Sequence, residues 1–223
     1  MGTPRREGPV LLTHIKNFRT SGTLLPSSRF LVKRLAECVD FADSLVIVQL
    51  GVGVGCVTRE LLLRMRPDAR LVALEIDPAF IEECRSIRDP RLTLREACAT
   101  ALPEVLRAEG IEGVDAVVSC LPLGFMDDVA VARVLDASRA SLRTRGRFVQ
   151  YQYTMGHHPR LTHLYGDVAV YFTPFNVPPA FVYQCSRQPA DAEARARPRV
   201  TLASLYAAVA AGVALAIRTV VQP

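Results

Sequence analysis

The sequence has no tryptophan, only four histidines and no long charge-free apolar run ahead of its last stretch. Each shortage narrows what the chain can do. Its six cysteines, Cys38, Cys56, Cys84, Cys98, Cys120 and Cys185, stand singly, without C-x-x-C pairs or nearby histidines. That spacing excludes a structural zinc site and leads us to expect no bound metal and a reducing, cytosolic setting. Arg5, Arg6 and Glu7 are followed by only a short apolar patch, so no secretory signal is expected. No histidine or carboxylate stands out as a general base. With aromatic residues at 7% and no tryptophan, an aromatic cage has only tyrosine and phenylalanine to draw on.

What is present is half hydrophobic and basic: 223 residues, a formal charge of +5 and a pI near 9.1. The length suits one substantial core rather than two domains with a linker. The charge points to an anionic partner, either nucleic acid or an acidic membrane surface.

The chain is organised around Val46-Ile47-Val48-Gln49-Leu50-Gly51-Val52-Gly53-Val54-Gly55. An apolar β-branched run that breaks into alternating glycines and then into an apolar-periodic segment reads as buried strand, tight turn and helix start. Glycine accepts positive φ and leaves no Cβ in the way of a ligand, and the helix start points N–H groups at the same place. G-x-G-x-G is the variant expected for S-adenosylmethionine, provided that an acid ends the next strand. Glu75 ends the strand that begins at Leu71, about 20 residues on, where such folds place a ribose-binding carboxylate.

From Ser44 onward strand and helix alternate, as in a parallel sheet with crossover helices. Helices are expected at Phe30–Val39, Val57–Met65, Pro78–Ile87, Ala101–Glu109 and Asp128–Leu142. Strands are expected at Leu92–Glu96, Val114–Ser119, Arg147–Tyr153, Val168–Phe172 and Ala180–Cys185, with Asn176-Val177-Pro178-Pro179 as a hairpin loop. The expected fold is therefore α/β and Rossmann-like, a seven-stranded, mostly parallel sheet with helices on both faces. Ligands bind beyond the carboxyl ends of such strands.

The two ends differ from this body. Leu11, Ile15 and Phe18 share one helical face, with Lys16 and Arg19 beside them, a pattern that fits either packing on the domain or a lipid interface. The last stretch, Val200 to Ile217, holds no charged residue and follows Arg187, Arg195, Arg197 and Arg199. It is long enough to span a membrane, to lie along one, or to pack as a helix. The division expected is 1–40 N-terminal amphipathic and capping helices, 41–187 catalytic domain, 188–199 polar linker and 200–223 apolar C-terminal helix.

Several motifs occur together in order: Ser21-Gly22-Thr23-Leu24-Leu25-Pro26-Ser27-Ser28-Arg29, the glycine turn, Leu74-Glu75-Ile76-Asp77-Pro78, Val117-Val118-Ser119-Cys120-Leu121-Pro122-Leu123, Gly146-Arg147-Phe148-Val149-Gln150 and Asn176-Val177-Pro178-Pro179-Ala180. Over about residues 10 to 187 the chain resembles the bacterial phospholipid N-methyltransferases, class I enzymes that methylate phosphatidylethanolamine toward phosphatidylcholine, with relatives acting on ornithine lipids. The resemblance implies that Gly51, Gly53 and Gly55 line the methionine and ribose side of S-adenosylmethionine and that Glu75 accepts from the ribose hydroxyls. Gln49, Ile76 and Ala97 complete the implied cofactor set, Ser119 and Leu121 border the methyl group, and Ser27 and Ser28 close the pocket. It also implies that the first helix sits at the membrane. The chain departs from the family at Gln49, where an acid is usual, and at Ala97, where an aspartate would accept from the adenine amino group. Losing such a bond costs about 0.5 to 1.5 kcal/mol.

Methyl transfer to an amine needs a neutral lone pair aligned with the methyl and the sulfur, so orientation supplies much of the rate. The resemblance implies that Ser119 borders the reacting groups, and Tyr151 and Tyr153, with Tyr183, are candidates for an aromatic pocket that holds an ammonium by cation–π attraction. His157 and Asn176 lie toward the expected acceptor side. Partners expected are an anionic membrane surface and an amine-bearing lipid, with the protein peripheral at the inner face. The rivals are an RNA adenine methyltransferase and a binding protein without turnover. Nucleic acid is not expected, because Ser119-Cys120-Leu121-Pro122-Leu123 lacks the polar and aromatic pairing that holds a flipped base.

Overall fold

The computed structural model describes residues 27–188. The candidate membrane residues Leu11, Ile15, Lys16, Phe18 and Arg19, the polar linker and the apolar stretch from Val200 lie outside the described residues.

The first described helix, α1 (Arg29–Glu37), forms because Ser28 caps it and its apolar residues recur on one side. The Ser28 Oγ accepts from the Leu31 N–H at 3.2 Å, satisfying one of the orphan donors of the first turn. Leu31, Val32, Leu35 and Ala36 are buried. This helix lies over the sheet beside α2 (Cys56–Arg64), sharing a core of Leu61, Val149 and Val182.

The sheet holds β1 (Val46–Leu50), β2 (Arg70–Glu75), β3 (Leu92–Glu96), β4 (Val114–Ser119), β5 (Leu142–Gln152), β6 (Asp167–Thr173) and β7 (Ala180–Ser186), in the order β3-β2-β1-β4-β5-β7-β6. Neighbours from β3 to β5 are parallel, and β7 runs antiparallel to both β5 and β6. The central strands β1, β2 and β4 are mostly apolar because helices cover both faces. On the face opposite α1, α4 (Leu102–Ala108), α5 (Asp128–Ser141) and α6 (His158–Leu164) bury Leu102, Val131, Leu135 and Leu161 against Phe148 and Tyr183. The Rossmann-like, mostly parallel seven-stranded sheet is thus the one the alternation of patterns predicts.

Three elements differ from expectation. The helix after Pro78, α3 (Pro78–Cys84), stops before Ile87, whose side chain instead turns down beside Gly55. The fifth strand starts at Leu142 rather than Arg147, pairing with β4 across a register shift between Val114 and Ala116. The stretch after His157 is helical as α6, with a proline in its first turn and Leu161 buried.

α1 falls within the expected N-terminal segment of residues 1–40, and its Leu31 and Leu35 are fully buried in a core shared with the sheet. Leu35→Ala is therefore expected to cost about 2 to 5 kcal/mol, the range for emptying a packed leucine site. Urea denaturation monitored by circular dichroism measures it. A loss near zero would mean that α1 is dispensable to the fold.

Candidate active site

The loop between β1 and α2 turns at Gly51, Gly53 and Gly55, all with positive φ. Gly55 is confined: a Cβ there would lie 3.0 Å from Arg59 Nη1, Cys84 Sγ and Ile87 Cδ1. Gly53 is the opposite case, since a Cβ would meet nothing within 4 Å. The loop is thus packed on its inner side and bare at Gly53, where a ligand can lie against the backbone.

Glu75 ends β2 beside this loop and is only 8% exposed. Its Oε2 accepts from the Val52 and Gly53 N–H groups at 2.8 and 3.0 Å. Its Oε1 accepts from those of Ile76 and Asp77 at 2.8 and 3.0 Å. One carboxylate therefore clamps two loops together, with charge-assisted bonds of the stronger kind. The neighbouring crossovers are stitched on in the same layer: Gly51 N–H donates to Leu74 O at 2.9 Å, Ala97 N–H to Glu75 O at 2.9 Å and Cys120 N–H to Leu50 O at 2.8 Å. Ile76 and Ala97, both half-buried, stand on the same rim.

Gln49 is fully buried behind the loop. Its Nε2 donates to Gly51 O at 3.2 Å and its Oε1 accepts from Thr58 Oγ1 at 2.8 Å. An ionised acid at this position has no proton to give the Gly51 carbonyl, so glutamine suits this packing, and its polar atoms are engaged within the protein.

The loop after β4 is held from below. Ser119 is fully buried and its Oγ accepts weakly from the Leu121 N–H at 3.4 Å. Leu121 O accepts from Gln150 Nε2 at 3.0 Å and from Gln152 Nε2 at 3.3 Å, and Leu121 Cδ2 lies 3.2 Å from where a Gly51 Cβ would sit. Gln150 and Gln152 are site residues that the sequence reading missed. Two glutamines alternating at the end of β5, after the apolar pair Phe148 and Val149, are the signal for them. The buried Gln150 Oε1 has no hydrogen-bond partner among the described residues. Burial pushes the Cys120 thiol up to about 12, so it stays protonated at neutral pH and does not compete as a nucleophile.

Tyr151 and Tyr153 meet edge to face, with centroids 5.7 Å apart at 71°. Tyr153 and Ser27 stand near the Tyr151 hydroxyl, and burial pushes its phenol far above the ordinary value. It is thus a neutral polar group on an aromatic wall and not a phenolate base. The structure brings Ser27 into this cluster but leaves Ser28 as the α1 cap.

Other expected site residues go elsewhere. Tyr183 pairs across from Gln150, is fully buried and lies 6.2 Å from the His158 ring, in the core on the other face of the sheet from Tyr151. It therefore does not share an aromatic pocket with Tyr151 and Tyr153. His157 is the half-buried residue before α6. Asn176 is buried and ties two segments: its Oδ1 accepts from the Ser28 N–H at 3.0 Å and its Nδ2 donates to Pro178 O at 2.7 Å. Among the described residues no cluster of histidine, cysteine or carboxylate could hold a metal ion.

A bare backbone at Gly53, a carboxylate beside it and a half-buried rim at Ile76 and Ala97 fit a nucleoside with its ribose toward Glu75. The ribose hydroxyls would share or displace the two longer contacts, from Gly53 and Asp77. Comparison with known proteins points to a methyltransferase. Residues 47–146 match the family model described as a methyltransferase domain. An ornithine lipid N-methyltransferase of Singulisphaera acidiphila is 29% identical over 166 residues, spanning 73% of this chain and 86% of that protein. A ribosomal RNA small subunit methyltransferase H of Thiobacillus denitrificans is 42% identical over 73 residues, 33% of this chain and 24% of that protein. Among solved structures, the N-methyltransferase NodS of Bradyrhizobium japonicum in complex with S-adenosyl-L-homocysteine aligns with TM-score 0.59 at 14% identity, over 78% of this chain and 97% of that one. A precorrin-6y C5,15-methyltransferase of Geobacter metallireducens aligns with TM-score 0.56 at 19% identity, over 74% and 92%.

Glu75→Ala removes the acceptor of four backbone N–H groups as well as the expected ribose ligand. It should abolish S-adenosylmethionine binding in calorimetry and also lower the urea midpoint, since a hydrogen bond to a charged group contributes about 1.5 to 3 kcal/mol. Unchanged affinity would show that the ribose assignment is wrong.

Proposed function

We propose that the chain, whose Rossmann-like fold carries a match to a methyltransferase domain, uses S-adenosylmethionine to methylate the amino group of a membrane lipid. The observation that carries this reading is the Tyr151, Tyr153 and Ser27 cluster at the end of β5. It is an aromatic and hydroxyl-lined wall beside the loop that follows β4, suited to a small ammonium head. The similarity to an ornithine lipid N-methyltransferase over most of that protein's length supports the same class of acceptor.

The cofactor supplies an electrophilic methyl group on a sulfonium. The acceptor nitrogen would have to reach it unprotonated, having given its ammonium proton to solvent, and sulfur would leave as the methyl is taken. The protein's own part is to hold the reactants in line. Glu75 and the glycine loop fix the nucleoside end, Leu121 stands over Gly51, and the glutamines of β5 keep the loop after β4 from moving away. The acceptors proposed are phosphatidylethanolamine and its mono- and dimethyl forms, with ornithine lipid as the second candidate. The protein acts from the cytoplasmic side as a peripheral enzyme at an anionic membrane surface. No helix among the described residues is long and apolar enough to cross a membrane.

A short match to ribosomal RNA methyltransferases makes RNA the rival acceptor. Assays with labelled S-adenosylmethionine against phosphatidylethanolamine liposomes, ornithine-lipid liposomes and RNA decide among them. Label is expected in a lipid amine. No transfer to either lipid, with cofactor binding intact, would overturn the proposal.

The Tyr151 phenol stays protonated well beyond neutral pH, so the rise of kcat/KM with pH should follow deprotonation of the acceptor amine. Tyr151→Phe is expected to lower the rate while leaving the shape of that profile unchanged. Loss of the rising limb in this variant would make Tyr151 the base.

A further inference from the structure

The tip of the β6–β7 hairpin exposes large apolar side chains that the cofactor site does not use. Phe175 is 71% exposed and Val177 75% exposed, and Phe30 at the start of α1 is 44% exposed. They form one patch. The Phe30 and Phe175 rings lie 5.3 Å apart, and Asn176, between Phe175 and Val177, accepts from the Ser28 backbone two residues ahead of Phe30. A second bond, from Asn176 to Pro178 O, pins the tip itself. The apolar groups are thus held outward by a fixed loop. A groove of about 310 Å³ runs beneath, lined by Phe30, Lys33, Arg34, Glu37, Phe172 and Phe175.

The rim is cationic. Arg34 is paired with Glu37 at 2.8 Å, but Arg29 and Lys33 are exposed on the same helix, and the Arg29 guanidinium sits 4.9 Å over the Phe30 ring. Exposed aromatic and aliphatic tips edged by arginine and lysine match the two demands of an anionic bilayer surface: apolar groups to enter the headgroup boundary and cations to meet its phosphates. Position completes the match. Thr173 pairs with Ala180, and Phe181 pairs with Gln152 at the end of β5. The hairpin tip therefore projects from the same carboxyl edge that bears the glycine loop, Glu75 and Tyr151.

We propose that Phe175, Val177 and Phe30, flanked by Arg29 and Lys33, are a docking surface for an anionic phospholipid leaflet, which presents the mouth of the methyltransferase site to the lipid headgroups. The inference rests on the lipid-acceptor reading above, but its test is independent of turnover. Because the chain has no tryptophan, Phe175→Trp makes a sole tryptophan reporter, excited apart from the tyrosines, in the full-length protein. Vesicles of phosphatidylcholine with phosphatidylglycerol contain no amine acceptor, so they report docking alone. Their addition is expected to shift the emission to the blue, and brominated acyl chains should quench it. Phosphatidylcholine alone should do so much less. Replacing both Phe175 and Val177 by serine should weaken vesicle partitioning about tenfold or more. Arg29→Gln and Lys33→Gln should each weaken it about fivefold. All these variants should bind S-adenosylmethionine as the parent does, which shows them folded.

An emission unchanged by anionic vesicles would overturn the docking surface, even if lipid in detergent micelles is methylated. A blue shift that grows with protein concentration without vesicles would assign the patch to a second copy of the chain instead. Blue emission at all concentrations, lost when residues 1–20 are deleted, would assign it to the chain's own N-terminal segment. Docking without methylation of any lipid would leave this surface standing and remove the lipid-acceptor reading.

Discussion

The Glu75 carboxylate accepts two backbone N–H groups from the glycine loop and two from the turn after its own strand. Each of these donors belongs to a loop that has left the sheet and has no ladder partner, so without the carboxylate they would face one another unpaired. Around this clamp the other crossovers are pinned strand by strand, through Gly51, Ala97 and Cys120. A site built this way is rigid before any ligand arrives, and orientation is what methyl transfer to an amine most requires.

The supports behind the clamp follow the same pattern. Gln49 reaches from β1 to Gly51 and Thr58, and Gln150 and Gln152 reach from β5 to Leu121. Amide side chains serve here because each carries a donor for a loop carbonyl. A carboxylate at Gln49 would lack that donor, which gives the departure from the related enzymes a structural reason.

Much of this was legible in the sequence because it is local. An apolar β-branched run, glycines at every second position and an acid at the end of the next strand specify strand, turn and ligand edge within about 30 residues, the length of a βαβ unit. What stayed hidden depends on contacts far apart in the chain. Tyr183 falls on the opposite face from Tyr151 because antiparallel pairing sets it across from Gln150, and neighbours along a strand point opposite ways. Ser28 and Asn176 each carry a motif residue's identity but use it on capping and on tying α1 to the hairpin, 148 residues apart. The short α6 was missed because a helix of about two turns carries too little periodicity to read.

The carboxyl edge thus gathers a clamped cofactor loop, an aromatic wall and, on the proposed reading, a lipid-facing tip. The clamp is the part on which the others rest. An NMR titration of the ¹⁵N-labelled protein with S-adenosylhomocysteine tests it most directly. The amides of Val52, Gly53, Ile76 and Asp77 should shift together with those of Ala97 and Leu121, as ribose hydroxyls enter the Glu75 shell. Saturable binding that leaves those four amides unmoved would contradict the account.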